Sequence, residues 1–284
     1  MTTTRVESAK HCFFSFYVPW GDLSGAYVPE IYDQYTREYI DLSIAKHKQL
    51  ASLFDSEYKF FNDKQYCESL FEKYNLPRLG HNDIFNIKFM LMAELFEQYD
   101  HITYIDFDVI HKGIPEKGAV NKLKNTQCGI HWTEPQPGYL VYERTQVLCD
   151  IFNVSPSRDI WQNNNGVIAM SKKVWDCINY VDTIKKVYDR VLSLDYVNLS
   201  TETGMTDSAE FASSICDETM FNFITMYRGI DVTFLPATYN VLIRNEDEFA
   251  GPSRSSDFAM MHFTKHTGKE VLNRELRNPN SIIY

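Results

Sequence analysis

Two carboxylates, Asp106 and Asp108, stand one residue apart at the end of the apolar run Ile102-Thr103-Tyr104-Ile105. In an extended segment, side chains two apart point the same way, so both can reach one hard cation that carries a phosphorylated ligand. The pair is the chain's single Asp-x-Asp, and it stands where a parallel strand would deliver ligands at its carboxyl end. That placement points to chemistry on a nucleotide-linked substrate. By itself the pair reads equally well as a strand closing before a solvated turn, so the surrounding elements decide.

Those elements alternate. His11 to Val18 reads as a buried strand, followed by a turn over Pro19 to Asp22 and a helix that Pro29 opens and that runs towards Leu53. Tyr58 to Phe61 reads as a second strand and Lys64 to Tyr74 as a helix stopped by Asn75-Leu76-Pro77. Asp83 to Tyr99, apolar at Ile84, Ile87, Met90, Leu91, Leu95 and Phe96, reads as the helix that leads into the Asp-x-Asp strand. This alternation predicts an α/β fold with a doubly wound, parallel sheet and ligands at the carboxyl ends of its strands.

Further along, Lys112 to Asn125 reads as a mixed loop or short helix, Gln127 to Trp132 as a strand, and Pro135 to Gly138 as a turn. Val167 to Met170 reads as a buried strand behind an Asn-rich turn, and Val174 to Leu194 and Ala209 to Arg228 as one helix each. Val232 to Leu235 reads as a strand, Asn245 to Asp257 as a charged surface loop, and the chain beyond Arg274 as peripheral. A single domain over residues 11–284 is expected, with residues 1–10 flexible.

A net charge of −10 over 284 residues repels nucleic acid and anionic membranes, so phosphate binding must be local, helped by metal or helix ends. No run of 18 apolar residues occurs and the first ten residues are polar. A soluble, cytoplasmic chain with no integral membrane segment and no nucleic-acid partner is therefore expected. Six cysteines without a Cys-x-x-Cys pair read as free core thiols of a reducing compartment.

Four later segments join the aspartates: Asn164-Asn165-Gly166-Val167, Asp217-Glu218-x-x-Phe221-Asn222, Leu235-Pro236-x-x-Tyr239-Asn240, and His262-Phe263-Thr264 followed by Gly268-Lys269. In this order they resemble the retaining glycosyltransferases of the GT-A fold, specifically glycosyltransferase family 8, which includes glycogenin and bacterial galactosyltransferases. The resemblance spans roughly residues 84 to 269. It implies a GT-A type mixed sheet with a nucleotide-binding half over residues 11–110 and an acceptor-binding, metal-completing half over 111–284. In that family two aspartates and a later histidine hold Mn²⁺, which bridges the nucleotide diphosphate. The matching ligands here are Asp106, Asp108 and His262, a set of two oxygens and an imidazole that favours Mn²⁺, with Mg²⁺ as the alternative.

The resemblance also implies that Lys88 contacts donor phosphate or sugar and that Lys265 or Lys269, near Gly268, serves the diphosphate. The spacing to Lys269 is one residue longer than the family's His-Phe-x-Gly-x-x-Lys. Asn164 and Gly166 match a turn whose small residues let the backbone approach the donor sugar, although Asn165 replaces the small residue. Asp217-Glu218 matches an Asp-Gln pair in which the Asp binds sugar hydroxyls and the Gln sits beneath the anomeric carbon. The glutamate here leaves nucleophile, general base and inverting chemistry all open. Tyr17 or Tyr27 is placed to stack on uracil, and Trp132, Tyr139, Tyr142 and Trp161 to line an acceptor cleft or pack in the core.

The resemblance implies transfer of a sugar from a UDP-sugar donor to a hydroxyl of a glycan or glycosylated acceptor. A rival is a haloacid-dehalogenase-like phosphatase with Asp106 as nucleophile, although Ile110 stands where its signature has Thr or Val. A second rival is a nucleotide-sugar-binding protein without turnover.

Overall fold

The computed structural model describes residues 9–18, 37–79, 81–133, 140–155, 162–194, 207–250 and 257–283. In chain order these form β1 (His11–Phe16), α1 (Arg37–Leu53), β2 (Glu57–Phe61), α2 (Lys64–Lys73), a 3₁₀ turn (His81–Asn86), α3 (Ile87–Leu95), β3 (His101–Ile105) and β4 (Val109–Lys112). There follow α4 (Lys117–Asn125), β5 (Cys128–Thr133), α5 (Leu140–Ile151), β6 (Gln162–Ser171), α6 (Lys172–Ile178), α7 (Tyr180–Leu192), α8 (Ser208–Ser214) and α9 (Asp217–Tyr227). The chain closes with β7 (Thr233–Phe234), β8 (Val241–Ile243), α10 (Glu246–Ala250), β9 (Ala259–Phe263) and α11 (Lys265–Glu275).

Six strands form one sheet in the order β2-β1-β3-β6-β5-β7, and β4-β9-β8 form a second. The β2-β1-β3 half is parallel, but β6 runs antiparallel to both β3 and β5, so the large sheet is mixed. It crosses both halves of the chain without a break. Period-two alternation sorts the strand residues into two layers. Cys12, Phe14, Ile102 and Tyr104 face a core built with α3, α7 and α9, while Phe13 and Ile105 face Leu50, Phe54 and Leu123 from α1 and α4. A third cluster, around Phe107, Ile110, Met261 and Phe263, backs the small sheet.

Several sequence expectations change. The predicted helix Asp83 to Tyr99 begins as a 3₁₀ turn, and Val174 to Leu194 divides at Asn179, whose left-handed φ of 44° ends α6. Ala209 to Arg228 divides at the extended residues Ile215 and Cys216. The Asn-rich turn before Val167 is instead the first part of β6, irregularly paired where its register against β5 shifts between Ile130 and His131. Cys177 is exposed on α6, unlike the buried Cys12, Cys67, Cys128 and Cys149; no disulfide joins the six. Beyond Arg274 the chain is not merely peripheral, because Ile283 returns to the third cluster fully buried. The segment 1–10, expected to be flexible, falls largely outside the described residues, as do the turn at Pro19 to Asp22, Pro29, Tyr27, Tyr139, Trp161 and the side chain of Trp132.

Candidate active site

Asp106 and Asp108 converge by a route other than strand alternation. The strand ends at Ile105, and residues 106–109 form a turn closed by Val109 N–H donating to the Asp106 carbonyl at 3.0 Å. The residue between them, Phe107, is anchored: Tyr39 and Ser43 of α1 donate to its carbonyl at 2.9 and 2.8 Å, and its ring stacks on Tyr17 with centroids 4.8 Å apart. Pinning the central residue points the flanking carboxylates back over the ends of β3 and β4. Tyr17, proposed as a base-stacking residue, thus has one ring face against Phe107.

The β4–β9 pair sets His262 opposite Val109, beside both aspartates. His262 Nε2 lies 3.6 Å from Asp106 Oδ2 and 3.2 Å from Asp108 Oδ1, and one ligand atom from each of the three lies within 4.8 Å of the others. The far side of the ring decides what Nε2 carries. Nδ1 lies 3.0 Å from Asn240 Oδ1 and 3.1 Å from Asn164 Oδ1. Asn164 Oδ1 also accepts from Asn240 Nδ2 at 2.7 Å and from Gly166 N–H at 3.0 Å, which fixes it as the oxygen. Facing two acceptors, Nδ1 carries a hydrogen, and Nε2 is the nitrogen turned towards the two carboxylates. One imidazole nitrogen and two carboxylates converge here with the far ring nitrogen held by amide oxygens, a donor set that fits a divalent metal.

Two lysines flank this centre. Lys88 of α3 is buried, at 3% exposure, donating to Asp217 Oδ2 at 3.0 Å and lying 3.5 Å from Asp106 Oδ1. Burial opposes its charge, but Asp106 and Asp217 outweigh burial and raise its pKa above the ordinary lysine value. Its ammonium also lies 4.7 Å above the Tyr104 ring, and the Tyr104 hydroxyl donates to Asp106 Oδ1. On the other side Lys269 of α11 donates to Asp108 Oδ2. Burial opposes the Asp108 charge, yet Lys269 and His262 hold the carboxyl well below the usual carboxylate range. Lys265 opens α11 and its side chain lies outside the described residues.

The first turn of α9 completes the group. Asp217 is bridged to Lys88 and also accepts from Asn165 Nδ2 at 3.1 Å; Asn165 Oδ1 in turn accepts from Asn163 at 2.6 Å. Glu218 Oε1 accepts from Asn164 Nδ2 at 3.2 Å. Burial first, then Asp217 and Asp106, push the Glu218 carboxyl up to about 8, against the pull of Lys88.

The structure therefore gathers Asp106, Asp108, His262, Lys88, Lys269, Asn164, Gly166, Asp217 and Glu218 into one connected set. Gly166 earns its place sterically, because a Cβ there would lie 2.4 Å from His262 Nδ1, whereas Gly268 clears Ile243 O, which a Cβ would approach to 2.2 Å. Three further residues bonded to this set were not assigned roles from sequence. Asn240 orients His262, and its signal was its place in the Tyr239-Asn240 segment. Asn165 substitutes for a small residue in order to hold Asp217. Tyr104, near the end of β3, turns its hydroxyl onto Asp106 just beyond it. Of the proposed cleft aromatics, Tyr142 lies on α5 and is 47% exposed.

No protein-family model and no curated protein sequence matches this chain. Solved structures do. Mouse xyloside xylosyltransferase 1, apo form, superposes with a TM-score of 0.52 at 10% identity, over 91% of this chain and 99% of that one. The galactosyltransferase LgtC, in complex with donor and acceptor sugar analogs, matches at a TM-score of 0.42 and 12% identity, over 89% and 87%. A glycosyltransferase involved in glycosylation of the major capsid of PBCV-1 matches at 0.42 and 10%, over 93% and 99%. The mixed α/β architecture is that of GT-A glycosyltransferases.

Proposed function

We propose that this protein is a metal-dependent glycosyltransferase, of the kind grouped in family 8, that transfers a sugar from a UDP-sugar to a hydroxyl of a glycan or glycosylated acceptor. The observation that carries the reading is His262 Nε2 converging with the Asp106 and Asp108 carboxylates while Nδ1 is occupied by two amide oxygens. Asp106, Asp108 and His262 would hold Mn²⁺, or Mg²⁺ as the weaker match to an imidazole-containing set. When bound, the metal supplies Lewis-acid neutralisation of the departing diphosphate.

The remaining work falls to the chain. Lys269, beside Asp108, would lend its charge to the diphosphate. Lys88 fixes Asp106 and Asp217 and keeps a buried positive charge beneath the donor. Asn164 and Asp217 present hydrogen-bonding groups to sugar hydroxyls, and Gly166 keeps the backbone low enough for the sugar to approach. Glu218, pushed up to about 8, is mostly protonated at neutral pH. A protonated carboxyl offers one donor and one acceptor, as an amide does, which supports Glu218 standing in for the glutamine of the resembling family. Positioning and charge stabilisation are then the main sources of rate. In this reading residues 11–110 carry the nucleotide and 111–284 the acceptor.

The test is thermal stabilisation by UDP and UDP-sugars with Mn²⁺ or with EDTA, since a ligand that binds only the native state raises its melting point. A shift with UDP that vanishes in EDTA and in Asp108→Asn is the expected result, together with loss of most UDP-sugar turnover in that variant. Turnover undiminished in Asp108→Asn, or aryl-phosphate hydrolysis without any nucleotide response, sinks the reading. UDP binding without transfer to any acceptor marks a binding protein.

A further inference from the structure

Arg144 on α5 is a charged side chain that no salt bridge among the described residues explains. α5 and α9 pack side by side in parallel: Phe152, just past the end of α5, lies against Phe223 and Tyr227 with ring centroids 5.1 and 5.8 Å apart. Val141, Thr145 and Leu148 bury the adjoining face of α5. Two turns before Phe152, Arg144 thus comes beside the first turn of α9, and its charge interacts with the Cys216 thiol that immediately precedes Asp217 and Glu218. The guanidinium is half-buried, burial works against its charge, and its buried Nε has no hydrogen-bond partner among the described residues. A desolvated donor left unpaired is costly, and native folds keep one where a ligand or ordered water completes it.

The site has a direction. From Lys269 it passes through Asp108, His262 and Asn164 to Glu218, each joined to the next by a contact, and Cys216, the residue beside Arg144, immediately precedes Asp217 and Glu218 at that second end. If the proposed transferase reading holds, the diphosphate belongs at the Lys269 end and the transferred sugar over Asn164, Asp217 and Glu218. A group beyond them belongs to the acceptor. Asp106 and Asp217 line this side of the site and Lys88 is engaged by both, so an acidic acceptor would need a cation of its own. We propose that Arg144 binds a carboxylate of an acidic sugar acceptor, its planar fork matching the two carboxylate oxygens.

The experiment rests on the transferase reading but separates from it. Binding of D-glucuronate against D-glucose is measured by calorimetry with Mn²⁺ and UDP present, alongside UDP-glucuronate against UDP-glucose, for wild type, Arg144→Gln and Arg144→Lys. The wild type should favour glucuronate over glucose by roughly tenfold, the scale of one charge-assisted contact. Arg144→Gln should abolish that preference and Arg144→Lys, which keeps the charge and loses the fork, should reduce it. If Arg144→Gln does not fold, seen as loss of the UDP and Mn²⁺ thermal shift, the lysine variant decides. No preference in the wild type, or one that survives in both variants, overturns the proposal. A preference lost only between the two UDP-sugars moves the carboxylate to the donor and also overturns it. Absence of any UDP and Mn²⁺ shift in the wild type instead fails the transferase reading itself.

Discussion

A methyl group at position 166 would sit 2.4 Å from Nδ1 and 2.6 Å from Cε1 of His262, and 2.9 Å from Asn164 Oδ1. None of these atoms is a free end, since the ring and the amide hold each other and Asn240. Gly166→Ala must therefore rotate His262 away from the aspartates or push β6 off β9. Overpacking of this sort costs about 1–3 kcal/mol, and the lost alignment should weaken Mn²⁺ affinity at least roughly tenfold, the equivalent of about 1.4 kcal/mol. Mn²⁺ titration of the purified variant measures both through binding and through metal-dependent melting. An unchanged Mn²⁺ affinity would show that the glycine does not set the histidine.

At the level of elements, α11 reaches the site by lying against β8, and Gly268 is the point of closest approach. A Cβ there would lie 2.2 Å from the Ile243 carbonyl oxygen, an atom that also accepts from Thr264 N–H at 3.1 Å. Gly268→Ala should lift the helix and carry Lys269 away from Asp108, with a stability loss of about 1–3 kcal/mol. UDP affinity should then fall by a larger factor than the affinity for Mn²⁺ alone; equal losses in both titrations would place Lys269 outside the diphosphate contact. Long periodic elements such as α1 and the strands leading into the Asp pair were legible in the sequence, because each carries its own apolar period. The small sheet was not. β4 and β8 are four and three residues long, too short for a period, and β9 was visible only as an apolar run around His262. The helix breaks at Asn179 and at Ile215-Cys216 were likewise hidden, since tertiary contacts at a left-handed or extended residue interrupt an apolar pattern that continues on both sides. The site residues were legible through their resemblance to known motifs, while Asn240, Asn165 and Tyr104 act on neighbours that only folding brings together.

Across the whole molecule, four buried histidines stitch elements that meet only in the folded state. His47 of α1 bonds the Val109 carbonyl of β4 at 2.6 Å and lies 3.2 Å from Ser15 of β1 and 3.3 Å from Tyr58 of β2. His111 of β4 returns to the Lys46 carbonyl of α1, His11 joins β1 to Thr103 of β3, and His101 joins β3 to the Thr126 carbonyl. Burial pushes His47 and His111 down to about 4 and His11 to about 3, with His101 lowered as well. Each is therefore neutral in the fold but takes up a proton near 6.5 when unfolded. The unfolded chain binds more protons between these limits, so stability from these groups is full above about pH 6.5 and is lost as pH falls towards 4. For His47 alone the loss approaches 3 kcal/mol, on the order of 1.4 kcal/mol per unit of separation. Urea unfolding of the metal-free protein at intervals from pH 7 to pH 4.5 should show a steep decline, and His47→Gln, which can keep the bond to Val109, should remove about one proton's worth of that slope. If the variant and the wild type decline in parallel, the seam between the large sheet, α1 and β4 does not depend on a neutral His47.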